Sequence, residues 1–225
     1  MGVPVRLDNV VVCFPHLFEP HGIPGSTNAP KYSVESILDP ANPQHAAKLQ
    51  ELEAAFLQVL TEKNMAQYAA NLKRPWKDGN AENQRRGAQG KAPRDELTNM
   101  VFLRSSSLKP VPVVDAQVIP MTDPMQLFGG CICTVHVDLY WSTNVQNPGV
   151  YCGLNGVQLV SSVNVKRLGG GGPSAEQMFQ PVAGAPAPVS QPQPMQQQPQ
   201  PQRIQQQLRP PWMEEDPMLD EDIPF

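Results

Sequence analysis

The chain is poor in the features that mark membrane, secreted and disulfide-stabilised proteins. No apolar run approaches the roughly 20 residues that a helix needs to cross a bilayer. Asp8 and Asn9 interrupt the apolar start too early for a signal peptide. Four cysteines in 225 residues are too few for a disulfide framework. We therefore expect a protein of a reducing cytoplasm, with no membrane partner.

Signals for catalysis and metal binding are also weak. Ser106 begins a Ser-x-x-Lys pattern, but the other motifs of the acyl-transferring enzymes that use it are missing. Cys131, Cys133 and His136 are close in sequence, yet on a strand the two thiols would face the core and the imidazole would point away. We therefore predict buried, reduced cysteines, no metal, no cofactor and no enzymatic activity.

Proline, by contrast, is about twice as frequent as in average proteins, and 12 of its 26 occurrences follow Leu168. Glutamine and proline together make up 20 of the 32 residues in 180–211. Such a segment cannot bury a core. The composition predicts a domain at 1–168, a disordered linker rich in Gly, Gln and Pro at 169–212, and an acidic tip at 213–225.

Positive and negative charge are separated along the chain. The net charge is −4, but six of the 21 acidic residues lie among the last twelve, and the remainder has 17 basic against 15 acidic residues. Residues 73–94 carry seven basic and two acidic residues, and their scattered Gly and Pro predict a mobile loop. Its basic residues are candidates for contacts with a polyanion. They are Lys73, Arg74, Lys77, Arg85, Arg86, Lys91 and Arg94.

Apolar periodicity predicts a mainly β domain. The clearest strand is 131–142, whose odd positions are apolar and whose even positions are mostly polar. Further strands are predicted at 3–14, 32–38, 100–104 and 111–119, and a last hairpin is predicted to turn at Asn155-Gly156. One helix is predicted to begin at Pro43, after the N-cap Asn42. This order predicts an OB-fold-like, partly open barrel with one inserted helix.

The last residues form the most distinctive motif of the sequence. A run of acids ends in a stiff apolar tip, whose final ring can fill a pocket while its carboxylate pairs with a base at the rim. The motif consists of Asp220, Glu221, Asp222, Ile223, Pro224 and Phe225. It resembles the C-terminal tip of bacterial single-stranded DNA-binding proteins, which also follows a linker rich in Gly, Gln and Pro. The resemblance implies that the tip binds partner enzymes.

Residues 3–165 resemble a family of phage-encoded single-stranded DNA-binding proteins. The shared motifs are 15–20 (Pro-His-Leu-Phe-Glu-Pro), 31–34 (Lys-Tyr-Ser-Val), 123–124, 129–131, the strand that reaches Tyr140, 149–150 and 153–155. The resemblance implies an OB-type barrel that binds single strands without sequence preference. It also implies a role in phage DNA replication, recombination or repair, in the cytoplasm of the bacterial host. The long linker departs from the family pattern.

A binder of this kind needs cations for phosphates and aromatic rings for bases. The loop at 73–94 supplies the cations, and Trp76 and Tyr140 are the stacking candidates. Tyr32 and Trp141 are predicted to lie in the core. The acidic tip is expected to compete with DNA for the cationic surface.

Two other functions fit the sequence. The protein could be a recruitment adaptor whose barrel binds protein, or a recombination protein that anneals complementary strands. The sequence leaves the oligomeric state open.

Overall fold

Strands, several of them long, form the framework of the fold. The structure, a computed structural model, describes residues 2–22, 29–143, 148–163 and 165–168, together with Gly25. The strands are β1 (Val3–His21), β2 (Lys31–Leu38), β3 (Trp76–Asp78), β4 (Val101–Ser107), β5 (Val113–Val114), β6 (Ile132–Ser142) and β7 (Gly149–Ser161), and the α-helices are α1 (Pro43–Glu62) and α2 (Gly79–Ala88). The predicted linker at 169–212 and the predicted tip at 213–225 lie outside the described residues.

Five strands close a barrel in the order β1-β2-β4-β7-β6. Neighbouring strands of the barrel pair antiparallel, except that β4 and β7 pair in parallel at Ser106 and Gly153. Strand β1 pairs with both β2 and β6, and its register shifts next to Asn9 and Phe14, whose φ angles are positive. Such irregularities bend a strand, so one long strand can serve both sides of the barrel. The predicted mainly β, OB-like barrel is confirmed, but the barrel is closed rather than partly open, because β4 pairs with β7.

The alternation of β6 gives the barrel much of its core. Cys133, Val135, Val137 and Leu139 are at most 1% exposed, whereas Tyr140 on the other face is exposed. This confirms the orientation that the sequence predicts.

Helix α1 begins where the sequence predicts. The Asn42 side chain accepts a hydrogen bond from the Gln44 amide at 2.9 Å, and Pro43 takes the first helical position, where a missing N–H costs nothing. An apolar stripe that includes Leu52 and Phe56 is fully buried against the barrel. Among the described residues, no helix is long and apolar enough to cross a membrane.

The loop predicted at 73–94 is wrong in part, because the segment contains β3 and the second helix, α2. The Asp78 side chain caps α2 by accepting from the Ala81 amide at 2.7 Å. Gly79 is buried where a Cβ would meet the Leu97 carbonyl. The buried residues of α2 are Gly79 and Glu82. Helix α2 is held by its cap and by the close packing of Gly79 against the Leu97 backbone, not by an apolar stripe. Apolar periodicity in the sequence therefore cannot predict it.

The predicted hairpin at Asn155-Gly156 is also wrong, because both residues lie inside the single strand β7. A type I′ turn needs positive φ at both central residues, and neither residue has it. His136 pairs with Gly156 while Val137 pairs with Leu154, so Asn155 is the extra residue of a β-bulge. The hairpin instead joins β6 to β7. Strand β5 is likewise shorter than the predicted 111–119.

The four cysteines lie within the described residues, and each is buried with a free thiol, as predicted. Burial raises the pKa of Cys13 and of Cys133 to about 12. Both thiols therefore stay protonated at neutral pH and serve as small apolar core residues.

A buried carboxylate, that of Glu35 on β2, connects the barrel to the chain that follows α2. It is 2% exposed and lies 2.6 Å from the Arg94 guanidinium and 2.7 Å from Arg104 Nε. Arg94 is 8% exposed and also pairs with Glu96 at 2.8 Å. Burial alone would lower the pKa of Arg94, but its close contacts with the carboxylates of Glu35 and Glu96 raise the pKa above the ordinary value. Arg94 is therefore a fixed, charged part of the fold.

We expect the Glu35→Gln variant to lose about 1–3 kcal/mol of unfolding free energy, because the buried Arg94 would lose one of its two carboxylate partners and keep only Glu96. The control Glu51→Gln removes an exposed pair with Lys48 and is expected to cost less than about 1 kcal/mol. Urea unfolding followed by circular dichroism measures both. Equal losses in the two variants would contradict the structural role of Glu35.

Candidate nucleic-acid interface

An open groove of about 570 Å³ lies between the chain around 71–77 and the paired strands β6 and β7. Its cationic lining consists of Lys31, Lys73, Arg74, Lys77 and Arg104, and two tyrosines, Tyr140 and Tyr151, line it from the hairpin. We call this surface the basic groove. None of its described lining residues is acidic. The surface therefore suits an anionic ligand with flat apolar parts.

The arginines of the basic groove are held by carboxylates. Arg74 donates from Nε and Nη2 to Glu53 at 2.7 and 2.6 Å, and this hydrogen bonding lowers the pKa of Glu53. Arg104 donates to Glu35 while 61% of its side chain stays exposed. Both guanidinium groups therefore have fixed positions.

The lysines differ, since Lys31, Lys73 and Lys77 make no ion pair with any described residue. All three side chains are exposed. An exposed ammonium with no carboxylate partner is ready to exchange its counterions for a phosphate. These three lysines are the strongest candidates for contacts with an anionic backbone.

Tyr140 and Tyr151 are direct cross-strand partners on the outer face of the β6–β7 hairpin. Their ring centroids are 6.4 Å apart, and the ring planes differ by 30°. Each residue is 39% exposed. Burial raises the pKa of Tyr140, so its hydroxyl is neutral at physiological pH. The pair presents an aromatic surface between the cations.

A second depression of about 390 Å³ extends this surface toward α2 and shares Lys73, Arg74 and Lys77 with the basic groove. It adds Arg85, which donates from Nε and Nη2 to Glu82 at 2.9 and 2.6 Å. The predicted residue Arg85 thus lies next to the basic groove.

Four other predicted residues do not line the basic groove. Trp76 is half-buried and packs edge-on against Phe56, with centroids 6.0 Å apart. Arg94 is buried, and Arg86 Nε donates to the Ala92 carbonyl at 2.9 Å. Lys91 is exposed but does not line the basic groove. DNA contacts by these four residues stay predictions.

Three residues of the basic groove escaped the sequence analysis. Tyr151 lies on β7, which the turn predicted at Asn155-Gly156 would divide into two strands. The sequence therefore does not predict that Tyr151 pairs with Tyr140 on β6. Lys31 and Arg104 lie on β2 and β4, far from the charge cluster at 73–94. Arg104 directly follows three apolar residues of β4, and a charge at that point of a strand is the one signal that could have identified it.

The side chains of this surface are of the types that bind a nucleic acid. Among the described residues, no group of three or more His, Cys, Asp or Glu side chains could hold a metal ion. Lysine ammonium groups bind phosphates, and exposed aromatic rings stack on bases. Their combination in one groove matches a nucleic-acid strand whose bases are unpaired.

Known proteins share this fold. It is similar to that of the single-stranded DNA-binding protein from bacteriophage Enc34 in complex with ssDNA, with a TM-score of 0.59 and 17% identity over 72% of this chain and 88% of that chain. The same phage protein solved in another structure gives a TM-score of 0.57 and 19% identity over 79% and 90%. At these identities the likeness shows the fold. No curated protein matches the sequence.

The family is shown by a match along most of the chain. The model described as "Enterobacter phage Enc34, ssDNA-binding protein" matches residues 3–187. This confirms the family expected from the motifs at 15–20 and 31–34. The chain belongs to the family of the Enterobacter phage Enc34 single-stranded DNA-binding protein.

Proposed function

We propose that the protein binds single-stranded DNA in the basic groove, without preference for sequence. The observation that carries the proposal is the position of the Tyr140–Tyr151 pair beside Lys31, Lys73 and Lys77. Family membership supports it, as does the similar fold of the Enc34 protein, which was solved with ssDNA.

The two kinds of side chain act on different parts of the strand. The lysines bind phosphates, which are alike in every sequence, and the tyrosines stack on bases, all of which have a π face. A duplex keeps its bases stacked on one another, so it cannot offer one to Tyr140. The groove should therefore favour single strands over duplex DNA.

The predicted domains extend this function. The domain at 1–168 would coat and protect single strands during phage DNA replication, recombination or repair, as a binding protein rather than an enzyme. The tip, with Phe225 at its end, would recruit partner enzymes. The tether of about 44 residues, at 169–212, would have a typical end-to-end distance of roughly 35–40 Å, which lets a bound enzyme work beside the coated strand.

The first test is the salt dependence of binding to oligo-dT. We expect tight binding that weakens steeply between about 50 and about 200 mM salt and resists duplex competitor. Lys73→Ala and Lys77→Ala should each reduce the log–log salt slope by about 1, because each removes one phosphate contact. Lys63→Ala, at the C-terminal end of α1, should leave the slope unchanged. Fluorescence anisotropy of a labelled oligonucleotide measures the dissociation constant at each salt concentration for the wild type and the three variants.

Other outcomes of this titration point to the alternatives. No binding to oligo-dT at low salt would reject the proposal and favour the recruitment adaptor. Binding accompanied by fast annealing of complementary strands and by large oligomers would favour the recombination protein.

A second test concerns the tyrosine pair. Tyr140→Ala and Tyr151→Ala are each expected to weaken oligo-dT binding by about 1–3 kcal/mol, the usual contribution of one stacked base. The salt slope should not change, because no charge is removed. Tyr140→Phe keeps the ring and should bind almost normally, and Tyr68→Ala, exposed outside the groove, is the control. Full affinity in both alanine variants would remove the hairpin from the site.

A third test concerns the acidic tip. Deletion of 213–225 should strengthen oligo-dT binding, because six negative charges no longer compete with phosphate for the basic groove. The gain should be larger at about 50 than at about 200 mM salt, since salt screens charge interactions. The same anisotropy titration on the truncated chain measures it. An unchanged dissociation constant at the lower salt would contradict competition by the tip.

A further inference from the structure

Phe14 has an unusual backbone for a bulky residue. Its φ angle is 47°, in the left-handed region that such residues rarely adopt. It lies on β1 where the pairing with β2 shifts register, between Cys13 and His16. Its side chain is 40% exposed, so the strain is not offset by full burial of the ring. A strained residue that the surrounding structure maintains is a reason to look for function.

The structure holds the Phe14 ring from one side. The Arg94 guanidinium lies 4.8 Å from the ring centroid, within the range of a cation–π interaction. Arg94 is itself fixed by Glu35 and Glu96. An exposed ring backed by a buried, immobile cation is a preorganised stacking surface.

A pocket of about 370 Å³ adjoins this ring, a volume typical of small-ligand sites. We call it the Phe14 pocket, and its lining includes His16, His21, Lys31 and Arg104. Glu35 also lines it, but its carboxylate is paired with Arg94 and Arg104. The two histidine rings are stacked, with centroids 4.2 Å apart and planes 11° from parallel. Burial, and to a smaller extent His21, lowers the pKa of His16. The pocket thus combines flat rings with cations at its edge.

The Phe14 pocket is continuous with the basic groove, since Lys31 and Arg104 line both. Lys31 makes no ion pair with a described residue, and Arg104 is largely exposed. A polyanion leaving the tyrosine pair would meet these two cations first and the Phe14 ring next.

We infer that Phe14 is a second base-stacking site, so that one DNA strand runs from the Tyr140–Tyr151 pair past Lys31 and Arg104 to the Phe14 pocket. This inference rests on the proposed function. At this site one base of the strand would bind outside the basic groove. One protein would therefore cover a longer segment of DNA than the basic groove alone can hold.

The test uses the full chain and an oligo-dT long enough to span both sites. Phe14→Ala is expected to weaken binding about tenfold, with an unchanged salt slope. The loss should be equally large in a Tyr140→Ala background, because separate contacts add. Phe14→Trp keeps a stacking ring and should retain most of the affinity, whereas Tyr68→Ala again serves as the control.

Wild-type affinity in Phe14→Ala, while Tyr140→Ala binds weakly, would overturn the inference and leave the proposed function standing. Absence of binding by the wild-type protein would instead reject the proposed function. If Phe14→Ala fails to fold, photocrosslinking of wild-type protein to oligonucleotides containing 5-iodouracil decides the matter. A crosslink on the segment with Phe14, His16 or His21 supports the inference, and crosslinks confined to the hairpin tyrosines overturn it.

Discussion

The geometry of the binding surface depends on the ion pairs that the buried Glu35 carboxylate makes with Arg94 and Arg104. This carboxylate fixes Arg94, which supports the Phe14 ring, and it orients Arg104, which lines both the basic groove and the Phe14 pocket. One carboxylate thus positions groups on β1, on β4 and in the chain after α2. A buried ion pair is weak evidence for stability, because desolvation offsets much of the attraction. Its value here is geometric, since it keeps charge and aromatic surface in a fixed relation before any ligand arrives.

Strand register provides the second constraint. The bulge at Asn155 shifts the pairing of β6 with β7, and beyond it Tyr140 stands opposite Tyr151 on the outer face. A shift of one residue would place a tyrosine on the core face and expose an apolar residue in its place. The buried side chains of β6, among them Val137 and Leu139, forbid that slip. The packing of the barrel interior therefore determines the aromatic surface outside it.

Periodicity made the barrel predictable and left the details of the site hidden. The alternation of β6 and the cap at Asn42 are local signals, and both appear in the structure as expected. Helix α2 depends on a cap and on the fit of Gly79 against Leu97, which no apolar pattern reports. The groove unites Lys31 with Tyr151 through long-range strand pairing, and a count of charges along the chain cannot show that. The charge cluster at 73–94 predicts three of the five cations of the basic groove, and the topology of the barrel adds Lys31 and Arg104.

The arginines and the lysines of this surface have different roles. Arg74, Arg85 and Arg94 each engage a carboxylate with short hydrogen bonds or ion pairs, which suits the rigid, planar guanidinium. Lys31, Lys73 and Lys77 are exposed and make no ion pair with any described residue. A lysine presents a point charge on a flexible stem and imposes little geometry on the phosphate that it binds. Arginines that are held by carboxylates and lysines that make no ion pair with a described residue together suit the phosphate backbone of a single-stranded nucleic acid.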